Sequence, residues 1–253
     1  MKVVSWNVNG LRAVLGKGLL DYLADEAPDI VCLQETKIDE TLVETLRAAL
    51  PGWHAHFHCA QRKGYSGVAI LSRQPPLEVK AGCGHADYDA EGRCLRADFD
   101  ELSIINTYYP SGSAGDVRQQ IKEEFLKYLY DWVGPQLEAR PNLLHVGDFN
   151  ICHEAIDIHH PERHTGVSGF LPQERAWMSR LLAAGLVDTF RHFEAGGDHY
   201  SWWTYRSGAR AKNLGWRIDY QLAGMALVPR LRGAGLRPQV LGSDHCPTVL
   251  ELD

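Results

Sequence analysis

Short apolar runs closed by polar residues recur along the chain, with longer stretches of helical periodicity between them. The run Leu143-Leu144-His145-Val146 follows the breaker Arg140-Pro141-Asn142 and is continuous rather than alternating. That is the pattern of a strand buried on both faces. Similar runs predict strands over 2–8 and 30–34, and further strands over 53–59, 67–72, 94–99, 102–108, 216–220 and 248–252. Leu19, Leu20, Leu23 and Ala27 predict a helix over 17–27, broken by Pro28-Asp29. Leu42, Leu46 and Leu50 predict one over 39–50, stopped by Pro51-Gly52. Ile121, Phe125, Leu129 and Trp132 or Val133 form the stripe of a long helix over 118–139. Pro172 opens a helix over 172–184 that ends before Gly185. Strands and helices interleave, yet several strands run consecutively. The expectation is a layered α/β fold with mixed sheets, in one domain over 1–253.

Polar groups punctuate the strand ends at Asn7 and Asn9, Glu35, Tyr108, Asp148 and Asn150, Asp219, and Asp244 with His245. If the backbone stays extended past Gly147, Asp148 and Asn150 share a face; Asn7 and Asn9 have the same parity. Gly, Asp and Asn also end strands through turn chemistry. The recurrence of the arrangement is what argues for a site, since ligand sites of α/β folds gather at strand ends. The set holds carboxylates, carboxamides, a phenol and one histidine, with no nucleophile elbow and no glycine-rich phosphate loop. Oxygen-rich donors suit a hard cation, Mg²⁺ or Mn²⁺. A carboxylate and a histidine suit a general base and an electrophile for hydrolysis of a phosphate ester. His54, His56 and His58 share a strand face, but nothing nearby completes a ligand set, so they read as a half-exposed strand. The loop 158–170, with three histidines, reads as a surface loop near the site.

Charge sharpens this picture. The net charge is −6, against a uniformly basic nucleic-acid binder. Yet residues 200–238 carry seven basic side chains and a single acid, Asp219. In the same stretch the aromatic run Tyr200-Ser201-Trp202-Trp203-Thr204-Tyr205 precedes Arg206, Arg210 and Lys212. Rings that stack on or wedge beside bases and sugars, with cations that meet phosphates, suit a nucleic-acid substrate. None of the six cysteines forms a C-x-x-C pair, which argues against zinc. No apolar run reaches the roughly 20 residues that span a bilayer. The start, Met1-Lys2-Val3-Val4-Ser5-Trp6, lacks the layout of a signal peptide. The chain reads as cytoplasmic, without a membrane partner.

WNVNGLRA at 6–13, LQETK at 33–37, YYPSG at 108–112, GDFNICHEAID at 147–157, GFLPQERAW at 169–177, KNLGWRIDY at 212–220 and GSDHCP at 242–247 resemble the exonuclease III family of apurinic/apyrimidinic endonucleases. The resemblance runs the length of the chain, in order. It implies a four-layer α/β sandwich of two packed mixed sheets flanked by helices. It implies Mg²⁺-dependent cleavage of double-stranded DNA 5′ to abasic sites, with 3′–5′ exonuclease and 3′-end-cleaning activity, by a monomer. By the same resemblance Glu35 is a metal-binding residue, with Asp244 and Asn9 on the metal side. Asp148, with Asn150 and Asn7, orients or activates the attacking water. His245 with Asp219, and Tyr108, meet the scissile phosphate. Trp202, Trp216 and Ile218 build an apolar pocket for a baseless sugar. From the basic run itself, Arg206, Arg210 and Lys212 are expected to contact the DNA.

Two positions depart from the family pattern. Asn9 stands where some members carry aspartate, which lowers the negative charge available to a second ion. The loop Ser111-Gly112-Ser113-Ala114-Gly115 has no arginine of the kind some members push into the duplex. The competing readings are a related phosphoesterase acting on another substrate, a 3′–5′ exonuclease with little abasic-site incision, and a damage-binding module without turnover.

Overall fold

The computed structural model describes residues 1–253. In chain order the strands are β1 (Lys2–Asn7), β2 (Ile30–Gln34), β3 (His54–His58), β4 (Val68–Ser72), β5 (Glu78–Ala81), β6 (Cys94–Asp98), β7 (Ser103–Tyr108), β8 (Leu143–Asp148), β9 (Leu186–Asp188), β10 (Asp219–Gly224), β11 (Leu231–Leu236) and β12 (Thr248–Leu252). They form two six-stranded sheets, ordered β11-β12-β1-β2-β4-β3 and β5-β6-β7-β8-β10-β9. β1 pairs in parallel with β2, and β7 with β8; every other neighbouring pair is antiparallel. Both sheets are therefore mixed, as expected.

The continuous apolar runs are explained by where their alternate side chains go. On β1, Val3 points between the sheets and Val4 outward; on β2, Cys32 points between them and Val31 and Leu33 outward. The inter-sheet layer closes with Ile104, Leu144 and Val146 from the second sheet. Outside the first sheet, Leu11, Leu19, Leu23, Val43 and Leu46 pack from the helices Leu11–Leu15, Leu19–Glu26 and Val43–Ala48. Outside the second, Phe125 and Leu129 of helix Asp116–Ala139 and Trp177 and Leu181 of helix Pro172–Ala183 do the same. This is the four-layer sandwich, and each large aliphatic so buried contributes about 1.5–3 kcal/mol. No helix is long and apolar enough to cross a membrane.

Some boundaries move. The helix expected over 17–27 starts at Leu19 and is capped by Ala27 in the left-handed region, φ 49°. The helix expected over 39–50 splits into a 3₁₀ turn, Glu40–Leu42, and the α-helix Val43–Ala48. The strand expected from 216 begins at Asp219; Trp216 makes isolated bridges to Ile158 and Trp202. Three strands have no counterpart in the sequence reading: β5, β9 and β11. All three lie at sheet edges.

A buried polar contact joins the sheets. Gln34 Nε2 donates to Asn106 Oδ1 at 2.7 Å, and Asn106 Nδ2 donates to the carbonyls of Leu33 and Ala69. It fixes the offset between the sheets close to the ends of β1, β2 and β7, where the polar punctuation lies.

Candidate active site

β8 ends in Gly147-Asp148. A Cβ at Gly147 would lie 1.9 Å from the Thr107 carbonyl oxygen, so only glycine lets β8 lie this close to β7. Register then sets Asp148 opposite Tyr108 on β7 and Asp219 on β10. Past Asp148 the backbone does not stay extended. Asn150 is left-handed, φ 53°, and its N–H donates to Asp148 Oδ1 at 2.9 Å. β1 ends the same way: Asn9 has φ 48°, and its N–H donates to Asn7 Oδ1 at 3.0 Å. This corrects the reading by strand alternation. Each pair meets because the first side chain caps a turn whose third residue is asparagine, which tolerates the left-handed region.

These two turns face each other across the sheets. Asn7 Nδ2 donates to Asp148 Oδ2 at 2.8 Å, and Asn150 Nδ2 donates to the Tyr109 carbonyl and, at 3.3 Å, to Asp148 Oδ2. His245 Nδ1 lies 2.9 Å from Asp219 Oδ2, and its Nε2 lies 3.8 Å from Asp148 Oδ2. Ser201 Oγ donates to Asp219 Oδ2 at 2.6 Å while accepting the N–H groups of Ile218 and Asp219. The sequence reading missed Ser201, which a position between two aromatics does not flag.

The buried charges shift one another. Burial, and then the charge of Asp219, push the Asp148 carboxyl up to about 7, against the pull of His245 and Asn7. Burial disfavours the charged imidazole of His245, but Asp219 and Asp148 outweigh it and raise the ring to about 10. The two carboxylates thus favour the protonated ring, in which both nitrogens donate. Burial, then Glu35 and Asp148, hold the Tyr108 phenol protonated well above its ordinary range. Asp148, Asp219 and His245 are the single group of His, Cys, Asp or Glu side chains compact enough to hold an ion. The strand histidines His54, His56 and His58 do not form one.

A second polar arm leaves β2. Lys37 Nζ pairs with Glu35 Oε1 at 2.9 Å and donates to Asn9 Oδ1 at 2.5 Å. Asn9 Nδ2 donates to Asp244 Oδ1 at 2.9 Å, and Trp202 Nε1 to Asp244 Oδ2 at 3.1 Å. Burial would raise the Asp244 carboxyl, but His245, Asn9 and Trp202 outweigh it and hold it below the usual range. The two-residue separation of Glu35 and Lys37 in the sequence carries no sign that Lys37 bridges to Asn9.

Both arms open into one cavity of about 320 Å³. Asn7, Glu35, Tyr108, Asp148, Asn150, Asp244 and His245 form its polar side, and Trp202, Trp216 and Ile218 an apolar wall. Trp202 and Trp216 meet edge to face, with centroids 5.9 Å apart. Asn9 and Asp219 lie behind this surface. The basic run goes elsewhere. Arg210 donates to the carbonyls of Pro238, Val240 and Ser243 and stacks on Trp203, so it braces the segment that carries Asp244 and His245. Lys212 lines a different cavity, with His159 and His160. Arg217 is buried between Asp157 and Asp188. Arg206 is exposed and does not line the cavity. Arg210 and Lys212 do not line this cavity: the Arg210 guanidinium meets backbone carbonyls, and Lys212 lines the other cavity.

The donor set fits a hard divalent ion. Glu35 and Asp244 present carboxylate oxygens to the cavity, and the Asn9 carboxamide behind them, whose Oδ1 accepts from Lys37, adds a further oxygen on the same arm. Asp219 Oδ1 is buried without a hydrogen-bond partner, and the acidic floor as a whole lacks counter-charge beyond His245 and Lys37.

The sequence profile of the endonuclease/exonuclease/phosphatase family matches residues 4–245. An exodeoxyribonuclease of Bacillus subtilis (strain 168) is 41% identical over 256 residues, covering 99% of this chain and 98% of that protein. The structure of a 3′ phosphatase from Neisseria bound to a product DNA hairpin aligns with a TM-score of 0.92 at 31% identity, over 100% of this chain and 99% of the other. An AP endonuclease from Archaeoglobus fulgidus aligns with a TM-score of 0.92 at 30% identity, again over 100% and 99%.

Proposed function

The chain belongs to the endonuclease/exonuclease/phosphatase family, and on that premise we propose that it is a DNA repair nuclease that hydrolyses the phosphodiester 5′ to abasic sites and also acts at 3′ ends. One observation carries the reading. A buried Asn7–Asp148–His245–Asp219 chain forms the floor of a cavity whose far wall is Trp202, Trp216 and Ile218. A phosphodiester fits the first and a sugar without a base fits the second.

Asp148, oriented by Asn7 and Asn150, accepts a proton from the attacking water. Burial raises its carboxyl above the usual carboxylate range, the direction that makes it a stronger base. His245, fixed by Asp219, donates to a non-bridging phosphate oxygen as charge gathers there, and the protonated Tyr108 adds a second donor. Ser201 holds Asp219 in place. Glu35, Asn9 and Asp244 would hold a divalent cation, Mg²⁺ or Mn²⁺ in its stead. When bound, that ion supplies positive charge to the phosphate and eases departure of the 3′ oxygen. Trp202, Trp216 and Ile218 exclude a normal nucleotide by size and accept the extruded abasic sugar, whose extrusion breaks no base pair. Residues 1–253 act as one domain and one monomer in the cytosol. All six cysteines are free and buried, which suits a reducing compartment.

The test is an end-labelled duplex with one abasic analogue, incubated with the protein and with Asp148→Asn, in Mg²⁺ and in excess chelator. Metal-dependent incision at the analogue by the parent alone is expected. Degradation from the 3′ end without incision would remove the pocket assignment, and no cleavage at all would sink the nuclease reading.

A further inference from the structure

A fully buried ion pair lies outside the chemistry described above. Lys122, on helix Asp116–Ala139, and Glu174, in the first turn of helix Pro172–Ala183, are both 0% exposed and meet at 2.5 Å. Charges so buried lose their hydration, and a pair of this kind is weak evidence for stability. What it contacts is more telling. Glu174 Oε2 accepts the N–H groups of Gly169, at 2.7 Å, and Leu171, at 3.0 Å. The bond to Leu171 is an ordinary N-terminal helix cap; the bond to Gly169 reaches the cavity wall. Lys122 Nζ donates to the Asn150 carbonyl at 2.8 Å. Gln119 Nε2 completes the shell on Glu174 Oε1. Of the groups this carboxylate holds, Gly169 lines the cavity directly and Lys122 reaches the cavity-lining Asn150.

Gly169 lies against the sugar wall with no slack. A Cβ there would be 2.8 Å from Trp216 Cζ3 and 3.2 Å from the Asn150 carbonyl oxygen, and the backbone is left-handed, φ +97°. The Gly169 carbonyl also accepts the N–H of Cys152 at 2.7 Å. The turn is thus flush with the ring of Trp216 on one side and tied to the carboxylate of Glu174 on the other. A shift of the turn changes the width of the space beside Trp216.

We propose that Glu174 is a positioning residue for the lesion pocket: it holds the Gly169 turn against Trp216, with Lys122 as the buried counter-charge, and so sets the preference for an internal abasic nucleotide over a 3′ end. The inference rests on the nuclease reading. A 3′-phosphate presents no sugar beyond the scissile bond, so its removal uses the floor of the cavity without filling the pocket.

Removing one partner alone leaves a buried charge, so the test compares two charge-free doubles. Lys122→Met/Glu174→Gln keeps an acceptor for the Gly169 N–H; Lys122→Met/Glu174→Leu removes it. Both lose the lysine contact to Asn150 equally. Each is assayed on a duplex with an internal abasic analogue and on a nicked duplex ending in a 3′-phosphate, after circular dichroism and melting have shown equal folding. The Gln double should keep abasic-site kcat/KM within about threefold of the parent. The Leu double should lose about tenfold or more, through KM, with 3′-phosphate removal within about threefold, the scale expected when a wall moves but the chemical groups do not. If the Leu double loses both activities alike, or if the two doubles behave identically, the positioning role is overturned. A parent that cleaves neither substrate removes the nuclease reading itself, which is a separate result.

Discussion

Two cavities open at opposite ends of the strands, and the larger is the less informative. The larger, about 560 Å³, lies where β1, β2 and β7 begin and is lined by Met1, Asp29, Arg73 and Glu101 among others. Its charges are engaged locally and remain in contact with solvent. Asp29 accepts the Lys2 N–H, Arg73 stacks on Trp53, and Glu101 pairs with Arg230. The smaller, about 320 Å³, lies where β1, β2, β7 and β8 end. There two buried carboxylates and an imidazole converge, the Asp148 carboxyl and the ring each pushed up by burial or by the other charges. Volume did not separate the two. Desolvated charge facing the cavity did, since buried pairs such as Lys122–Glu174 and Arg217–Asp157 show that burial of charge alone does not mark a site.

The contrast can be broken in order of expected effect. At the small cavity, Asp148→Asn or His245→Ala should lower abasic-site incision by about 10²–10⁴-fold with the fold intact, read by gel assay and circular dichroism. Excess chelator should abolish incision by the parent, and added Mg²⁺ restore it.

Behind the same cavity, Asp157 receives the buried Arg217 and the partly buried Arg191. Asp157→Asn leaves Arg217 with one carboxylate and should cost about 3–5 kcal/mol in denaturant unfolding. Burial would raise the Asp157 carboxyl, but the two arginines outweigh it and hold it low. Its contribution is therefore complete above the unfolded value of about 4 and is lost as pH falls below it. The Asn variant should flatten that acid limb. If the two proteins lose stability in parallel between pH 5 and 2, the network is not what acid breaks.

Trp216→Ala should raise KM for the abasic duplex by about tenfold and leave 3′-phosphate removal nearly unchanged, the loss of one apolar wall. At the large cavity, Glu101→Ala should change neither stability, beyond about 0.5 kcal/mol, nor activity. A measurable loss of incision there would mean that the two ends are coupled and the comparison is false.

Central strands were legible because burial on both faces leaves an unbroken apolar run, as in Leu143 to Val146. Of the four edge strands only β3 was legible, by the alternation of its histidines. β5 reads Glu-Val-Lys-Ala and is mostly exposed, β9 has three residues, and β11 is interrupted by Gly233 and Gly235. Each exists because a neighbour offers it a ladder, which no local pattern reports. Polar strand ends were legible as a set, but not how they meet, since a left-handed residue such as Asn150 leaves no periodic trace. Counting charge along the basic run at 206–217 does not show that Arg217 is neutralised by Asp157, far away in the chain. Lys122 left a signal that went unread. It stands three residues before Phe125 and seven before Leu129, on the apolar stripe of its helix, where a lone cation needs a buried partner.

The hydrogen bond from Asn7 to Asp148 joins residues 141 apart, and Trp6 Nε1 donates to the His245 carbonyl across 239. β1 is held between β2 and β12, so it waits for a strand at the far end of this domain before its place in the sheet is complete. Hydrolytic competence is therefore a late event in the life of each molecule. A nascent chain on the ribosome, or one with its two halves undocked, has the residues of a nuclease and none of the reactivity. Recovery of incision after dilution from denaturant would act as a clock for the final docking of the sheets, lagging behind the far-ultraviolet signal that reports the strands and helices themselves.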